Sequence, residues 1–188
     1  MIRAVLLATA FAVLAGCSHA SSVARDEPGA HDIVARIIIE ALAPESYGDW
    51  AYTWGAVSAR VSRHMQWHLF GPDPRELEEG AVARRNGWIS ARGQSVGISA
   101  FGDRENVTYM TFELRDGQAL EYLEALRAAG AEVSFAADWE ESSDYVVSIA
   151  GRDPAELTSA RMCRPPQSRA GPSCRIELTL RLGRQSDD

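Results

Sequence analysis

Gly93-Gln94-Ser95-Val96-Gly97 has the G-x-S-x-G spacing of a nucleophile elbow. In that device a strand, a strained turn and a helix present a serine hydroxyl to a carbonyl carbon. The hydroxyl needs a histidine base, with chain order serine, acid, histidine. All four histidines, at 19, 31, 64 and 68, precede Ser95. Alternating residues also continue beyond Ser95 as a strand, so Gly93 and Gln94 read as a hairpin turn. His64 and His68 are four residues apart, a spacing that on a helix lets two imidazoles share a zinc ion. On a strand, at ~3.3 Å per residue, they stand about 13 Å apart and cannot chelate together. Trp50, Tyr52 and Trp54 alternate like an aromatic row on a sugar-binding strand, although core packing explains such rows more often. Asp138, Glu140, Glu141 and Asp144 gather acid but lack the glycine and regular oxygen spacing of a calcium loop, and read as a solvated hairpin tip.

The basic residues narrow the chemistry further. All 19 are arginine. Schiff-base catalysis, serine–lysine dyads and a Walker-type phosphate loop each need a lysine, so none is open to this chain. Cys163 and Cys174 bracket ten residues that include Pro165, Pro166, Gly171 and Pro172. They have no nearby histidine and no CxxC spacing, so they are expected to form a structural disulfide. No catalytic residue, metal ligand or cofactor is assigned.

The N-terminus gives an address. Met1, Ile2 and Arg3 precede a stretch from Ala4 to Ala15 that is apolar except at Thr9, followed by Gly16 and Cys17. One positive charge, a short apolar segment and small residues before a cleavage point describe a signal peptide. The stretch is far shorter than the ~20 residues a bilayer-spanning helix needs. Leu14-Ala15-Gly16-Cys17 resembles the lipobox of bacterial lipoproteins, a resemblance confined to residues 1–17. It implies that residues 1–16 are removed and that Cys17 carries a diacylglycerol, usually with a third acyl chain. Two or three chains hold a protein on a membrane durably. In such lipoproteins an aspartate after the cysteine favours the inner membrane, so Ser18 implies the outer membrane, facing the periplasm.

Removing residues 1–16 leaves 172, enough for one domain, with 18 basic and 26 acidic residues. An acidic chain with no basic stripe is a poor nucleic-acid partner. Residues 17–30 read as a flexible tether, 31–183 as a single domain and 184–188 as a polar tail.

Within the domain, the apolar spacing of Ile33, Val34, Ile37, Ile38 and Leu42 predicts a helix over 32–43 that ends before Pro44. Residues 57–69 alternate and are expected as a strand, although Trp50, Trp54, Val57, Val61 and Met65 also fit a helical stripe. Asp73-Pro74-Arg75-Glu76 opens a short helix, and Asn86-Gly87 predicts a hairpin between 81–85 and 88–92. Strands follow at 95–101 and 106–114. A helix is expected over 117–129 with Leu120, Leu123 and Leu126 inward, then strands at 132–139 and 144–150. The inward positions of those two strands read as Val133, Phe135, Ala137 and Trp139, then Tyr145, Val147 and Ile149. Asp153-Pro154-Ala155-Glu156 should open a second helix, and Ile176, Leu178, Leu180 and Leu182 alternate along a last strand. The fold class expected is α+β, an antiparallel sheet with helices on one face. Its C-terminal half follows the βαββαβ order of a ferredoxin-like split βαβ unit. The function expected is a lipid-anchored cell-envelope protein with a non-enzymatic binding or scaffolding domain, its partners being the membrane and an unidentified envelope component. The alternative is a hydrolase of envelope polymers or esters, for which carboxylate-only glycan chemistry stays open.

Overall fold

A computed structural model describes residues 28–42, 52–62, 71–115, 119–164 and 173–183. The expectations for Cys17, His64, His68, Trp50 and the 184–188 tail lie outside these residues.

Helix α1, Ala30–Ala41, starts where Asp32 accepts a hydrogen bond from the Gly29 backbone N–H at 2.9 Å. Ala30, assigned above to the tether, is the first residue of α1 and is buried. Val34, Ile37, Ile38 and Ala41 recur at helical spacing and are buried together. Helix α2, Trp54–Val61, corrects the strand expected over 57–69 for the residues described. Thr53 caps it by accepting from Ala56 N–H, and Trp54, Val57 and Val61 form the buried stripe. Here the 3.6-residue period prevailed over the 2-residue one because a threonine cap and a buried tryptophan stood at its start. At Pro74–Glu76 the expected helix is a single 3₁₀ turn capped by Asp73, whose carboxylate accepts from Arg75 N–H at 3.1 Å.

Seven strands form one sheet: β1 Ala83–Ala91, β2 Gln94–Gly102, β3 Val107–Arg115, β4 Glu132–Asp138, β5 Ser142–Ser148, β6 Ala155–Arg164 and β7 Ser173–Arg181. The spatial order is β1-β2-β3-β7-β6-β5-β4, and every pairing is antiparallel. Helix α3, Ala119–Ala128, carries the chain from β3 to the far edge at β4, and the remaining strands walk back by hairpins to pair with β3. The expected α+β fold with an antiparallel sheet and helices on one face is what forms.

Four local expectations need correction. Asn86-Gly87 is not a turn: both residues lie inside β1, opposite Ser99 and Ile98. The turn is Arg92-Gly93, where both residues have positive φ, 49° and 73°, the pairing that a tight two-residue hairpin demands. A turn at Asn86-Gly87 would break the inward series Ala83, Gly87, Ile89, all of which are buried. Residues from Ala155 onward are strand β6 rather than a second helix. Ala155, Leu157 and Ser159 alternate inward, and Pro154 stands just before the strand, where a missing N–H does no harm. The split βαβ order is therefore replaced by βαββββ from β3 to β7. In α3 the inward residues are Tyr122, Leu123, Ala125 and Leu126, whereas Leu120 points outward. Phe135 and Trp139, expected inward, are exposed, while Val133 and Val147 are buried as expected.

One core lies between the three helices and the inner sheet face. Its largest fully buried members include Tyr122, Phe112, Met110, Ile37, Ile38 and Leu178. Helix α1 packs against α2, α3 and the first two strands. Arg152, in the β5–β6 turn, ties the end of α1 to the sheet by donating from Nη1 to the Ile39 carbonyl.

Candidate functional site

Strand alternation sends every second side chain to the sheet face opposite the helices. The register lines these residues up in rows across the strands. One row runs Asn86, Ser99, Thr111, Thr179, Thr158, Asp144 over six strands, a line of short polar side chains. A second row, Trp88, Gly97, Glu113, Glu177, Ala160, lies on one side of it. On the other side stand Phe101 and Tyr109, then Arg181. The outcome is a hydroxyl-rich strip, buried at Ser99 and Thr111, flanked by longer aromatic and charged side chains.

The flanks are held by specific contacts. Arg84 donates from Nε to Asn86 Oδ1 at 2.8 Å and places its guanidinium 5.1 Å from the centroid of the Phe101 ring. Ser99 donates to the same Asn86 oxygen at 2.8 Å, and the Phe101 and Tyr109 rings stack at 4.6 Å. Glu113 and Glu177 are cross-strand partners, a like-charge pairing that is unfavourable unless balanced. Arg175 supplies the balance with a 2.7 Å bond from Nη1 to Glu113. Arg181 pairs likewise with Glu156 at 2.9 Å. Trp88 stands half-exposed opposite Gly97, where an added Cβ would meet the Glu113 side chain at 3.6 Å.

Asp144 closes the strip at its far end. Its two oxygens accept from the Thr158 hydroxyl at 2.7 Å and from Trp139 Nε1 at 2.8 Å. Those two bonds, Thr158 first, hold its carboxyl below the usual carboxylate range, with a smaller contribution from Arg181. Asp138 meanwhile accepts from Ser143 at 2.7 Å. The acid cluster at the β4–β5 turn thus spends oxygens on its own hairpin. Among the described residues no group of three or more His, Cys, Asp or Glu is placed to hold a metal ion.

The other candidates fall as follows. Ser95 is an exposed residue of β2 paired with Ser90, and the strand runs on to Gly102, so the strand–turn–helix of an elbow is not formed there. Trp54 is buried and donates from Nε1 to the Asp103 carbonyl at 2.9 Å, so it is core rather than part of a sugar-binding row. Tyr52 is partly buried against that core, its ring beside Gly183. Cys163 and Cys174 are opposite each other on β6 and β7 with Cα atoms 4.1 Å apart, and they are disulfide-bonded as expected. The bond closes the end of a hairpin, not a helix–strand junction.

The open face itself escaped the sequence reading. Its central pairing, β3 with β7, joins residues such as Glu113 and Arg175 that are far apart in the chain. The only trace in the sequence is the polar half of each alternating strand, which looks like any solvated face. Comparison with family models, with curated proteins and with solved structures gave no match.

Proposed function

We propose that the chain is a lipid-anchored protein of the cell envelope, held through Cys17, whose α+β domain binds or scaffolds another envelope component through the open face of its sheet. The observation that carries this reading is the open face itself. Trp88, Phe101, Tyr109 and a hydroxyl strip are laid across the strands, with their flanks ordered by arginine contacts and ion pairs. Aromatic side chains bring large contact area at low entropic cost, whereas Ser99 and Thr111 are buried within the strip and serve to order it. The lipobox-like Leu14-Ala15-Gly16-Cys17 and the Cys163–Cys174 bond both suit an exported protein. Ser18, directly after Cys17, makes the outer membrane, facing the periplasm, the proposed location.

The test sets two groups of substitutions side by side at matched protein levels, with an envelope-stress phenotype as readout. Trp88→Ala and Tyr109→Ala, on the open face, should lose function while folding and anchoring normally. Ser95→Ala, His64→Ala and His68→Ala should behave as wild type. The reverse pattern would favour the hydrolase reading and sink this one.

A further inference from the structure

We propose that the Cys163–Cys174 bond is a redox switch for the open face of the sheet, a regulation that rests on the binding role proposed above for that face. The register shows what the bond holds. β5 begins at Ser142, opposite Ala160, and β3 ends at Arg115, opposite Arg175. Past those points β6 and β7 have only each other. The pairs Cys163–Cys174 and Arg164–Ser173 have no third strand beside them among the described residues. The last tie on the outer side of β6 is the bond from Arg161 N–H to the Glu141 carbonyl at 2.8 Å. A two-stranded ribbon is marginal by itself in water, so these two rungs depend on the covalent link that one of them carries.

Arg175 connects the ribbon to the open face. It follows Cys174 directly and is the first residue of β7 with β3 beside it. Its guanidinium bonds Glu113 at 2.7 Å, and Glu113 stands opposite Glu177 in the row that begins at Trp88. The Glu177 carboxylate has no bonded partner among the described residues, so Arg175 is what offsets the repulsion between the two acids. Cys163 is exposed and Cys174 partly buried, so a dithiol reaches Cys163 first. Its thiolate attacks Cys163 Sγ, Cys174 Sγ leaves as a thiolate, and the second thiol of the reductant then resolves the mixed disulfide. The protein gains two electrons and two protons, and the dithiol departs as a disulfide. With the link gone the two outer rungs open and Arg175 lets go of Glu113. Glu113 and Glu177 then repel each other across β3 and β7. The oxidised protein keeps the row Trp88, Gly97, Glu113, Glu177 in register, and the reduced protein parts it between β3 and β7.

The test is amide hydrogen exchange on the full-length protein at neutral pH, oxidised and after treatment with dithiothreitol, in wild type and in Glu113→Gln. Reduction should speed exchange at least about tenfold in segments 111–115 and 175–179 of the wild type, and leave 86–98 within about twofold. Glu113→Gln removes the repulsion, so on reduction its ribbon should still open at 163–164 and 173–174 while 111–115 changes less than about threefold. Acceleration confined to 163–164 and 173–174 in the wild type makes the bond a local staple and overturns the switch. An equal response in Glu113→Gln, a rise through every strand, or no change at all overturns it as well. Exchange is read with no partner present, so this result holds or fails separately from the binding role, which Trp88→Ala and Tyr109→Ala test.

Discussion

Gly102 ends β2 at a point where the chain doubles back on itself, and replacing it with alanine should be the most damaging small change in the sheet. A Cβ built on Gly102 meets the Asn106 carbonyl oxygen at 1.8 Å, its carbon at 2.8 Å and Val107 Cα at 2.9 Å. All three are backbone atoms, so the β2–β3 loop must open rather than a side chain swing aside. That loop is closed by the Asp103 N–H bond to the Asn106 carbonyl at 3.0 Å, and by Asp103 Oδ1 accepting from the Glu105 and Asn106 N–H groups at 2.7 Å each. It also receives α2, through Trp54 Nε1 on the Asp103 carbonyl, Trp54 N–H on the Glu105 carbonyl and the bridge between Thr53 and Asn106. Overpacking typically costs ~1–3 kcal/mol, and each net hydrogen bond lost adds about 1 kcal/mol. Gly102→Ala should therefore lose about 3–5 kcal/mol, a fall in Tm of roughly 6–20 °C for a chain this size. Gly55 supplies the contrast, since it lies in α2 with negative φ and nothing within 4 Å of an added Cβ. Gly55→Ala should raise stability by about 0.5–1 kcal/mol through helix propensity. Thermal and urea unfolding followed by circular dichroism would measure both. A Gly102→Ala protein melting within ~2 °C of wild type would refute the close approach, and with it the docking of α2 on this loop.

Further expectations concern pH, redox state and processing. Burial, with a smaller contribution from Glu121, pushes the Tyr122 phenol up to about 12. The unfolded chain then ionises first, so stability is intact below pH ~10 and falls by about 2 kcal/mol towards pH ~12. Tyr122→Phe should flatten that alkaline limb in urea titrations, and an unchanged limb would contradict the burial argument. Cys163 is exposed, so reductant should reach the bond in the folded protein. Breaking so short a loop should cost about 2–3 kcal/mol, with hydrogen exchange rising first at the closed end of β6 and β7. Equal Tm with and without reductant would count against it. Cys17→Ala should abolish fatty-acid labelling and signal-peptidase processing, and a variant that still took up labelled palmitate would defeat the lipobox reading.

How much was legible in the sequence follows the range of the forces involved. Helix α1 could be read because Val34, Ile37 and Ile38 hold one period throughout, and β7 because Ile176, Leu178 and Leu180 hold the other. The disulfide was legible because Cys163 and Cys174 have no nearby histidine and no CxxC spacing, which leaves the pair few alternatives. Local signals failed where they competed with long-range pairing. Asn86-Gly87 is a strong turn dipeptide, yet nine residue pairs between β1 and β2 require the reversal at Arg92-Gly93. Asp153-Pro154 resembles a helix start, but Leu157 is needed between Tyr145 and Leu180 in the middle of the sheet. Leu120 and Tyr122 exchanged roles because a phenol can be buried as readily as a leucine when a helix packs over it. The open face was hidden for the same reason as the strand order. Its rows exist only once β3 and β7 are adjacent.

The claim that the open face is the working surface is tested most directly by placing a photo-crosslinking amino acid at single positions in the full-length protein and irradiating intact cells. Positions 88 and 177 lie on the open face, and exposed positions 36 and 124 lie on the helical layer. The account predicts one common partner captured from both open-face positions and absent from both helical ones. Capture of that partner from positions 36 and 124, with none from 88 and 177, would contradict it.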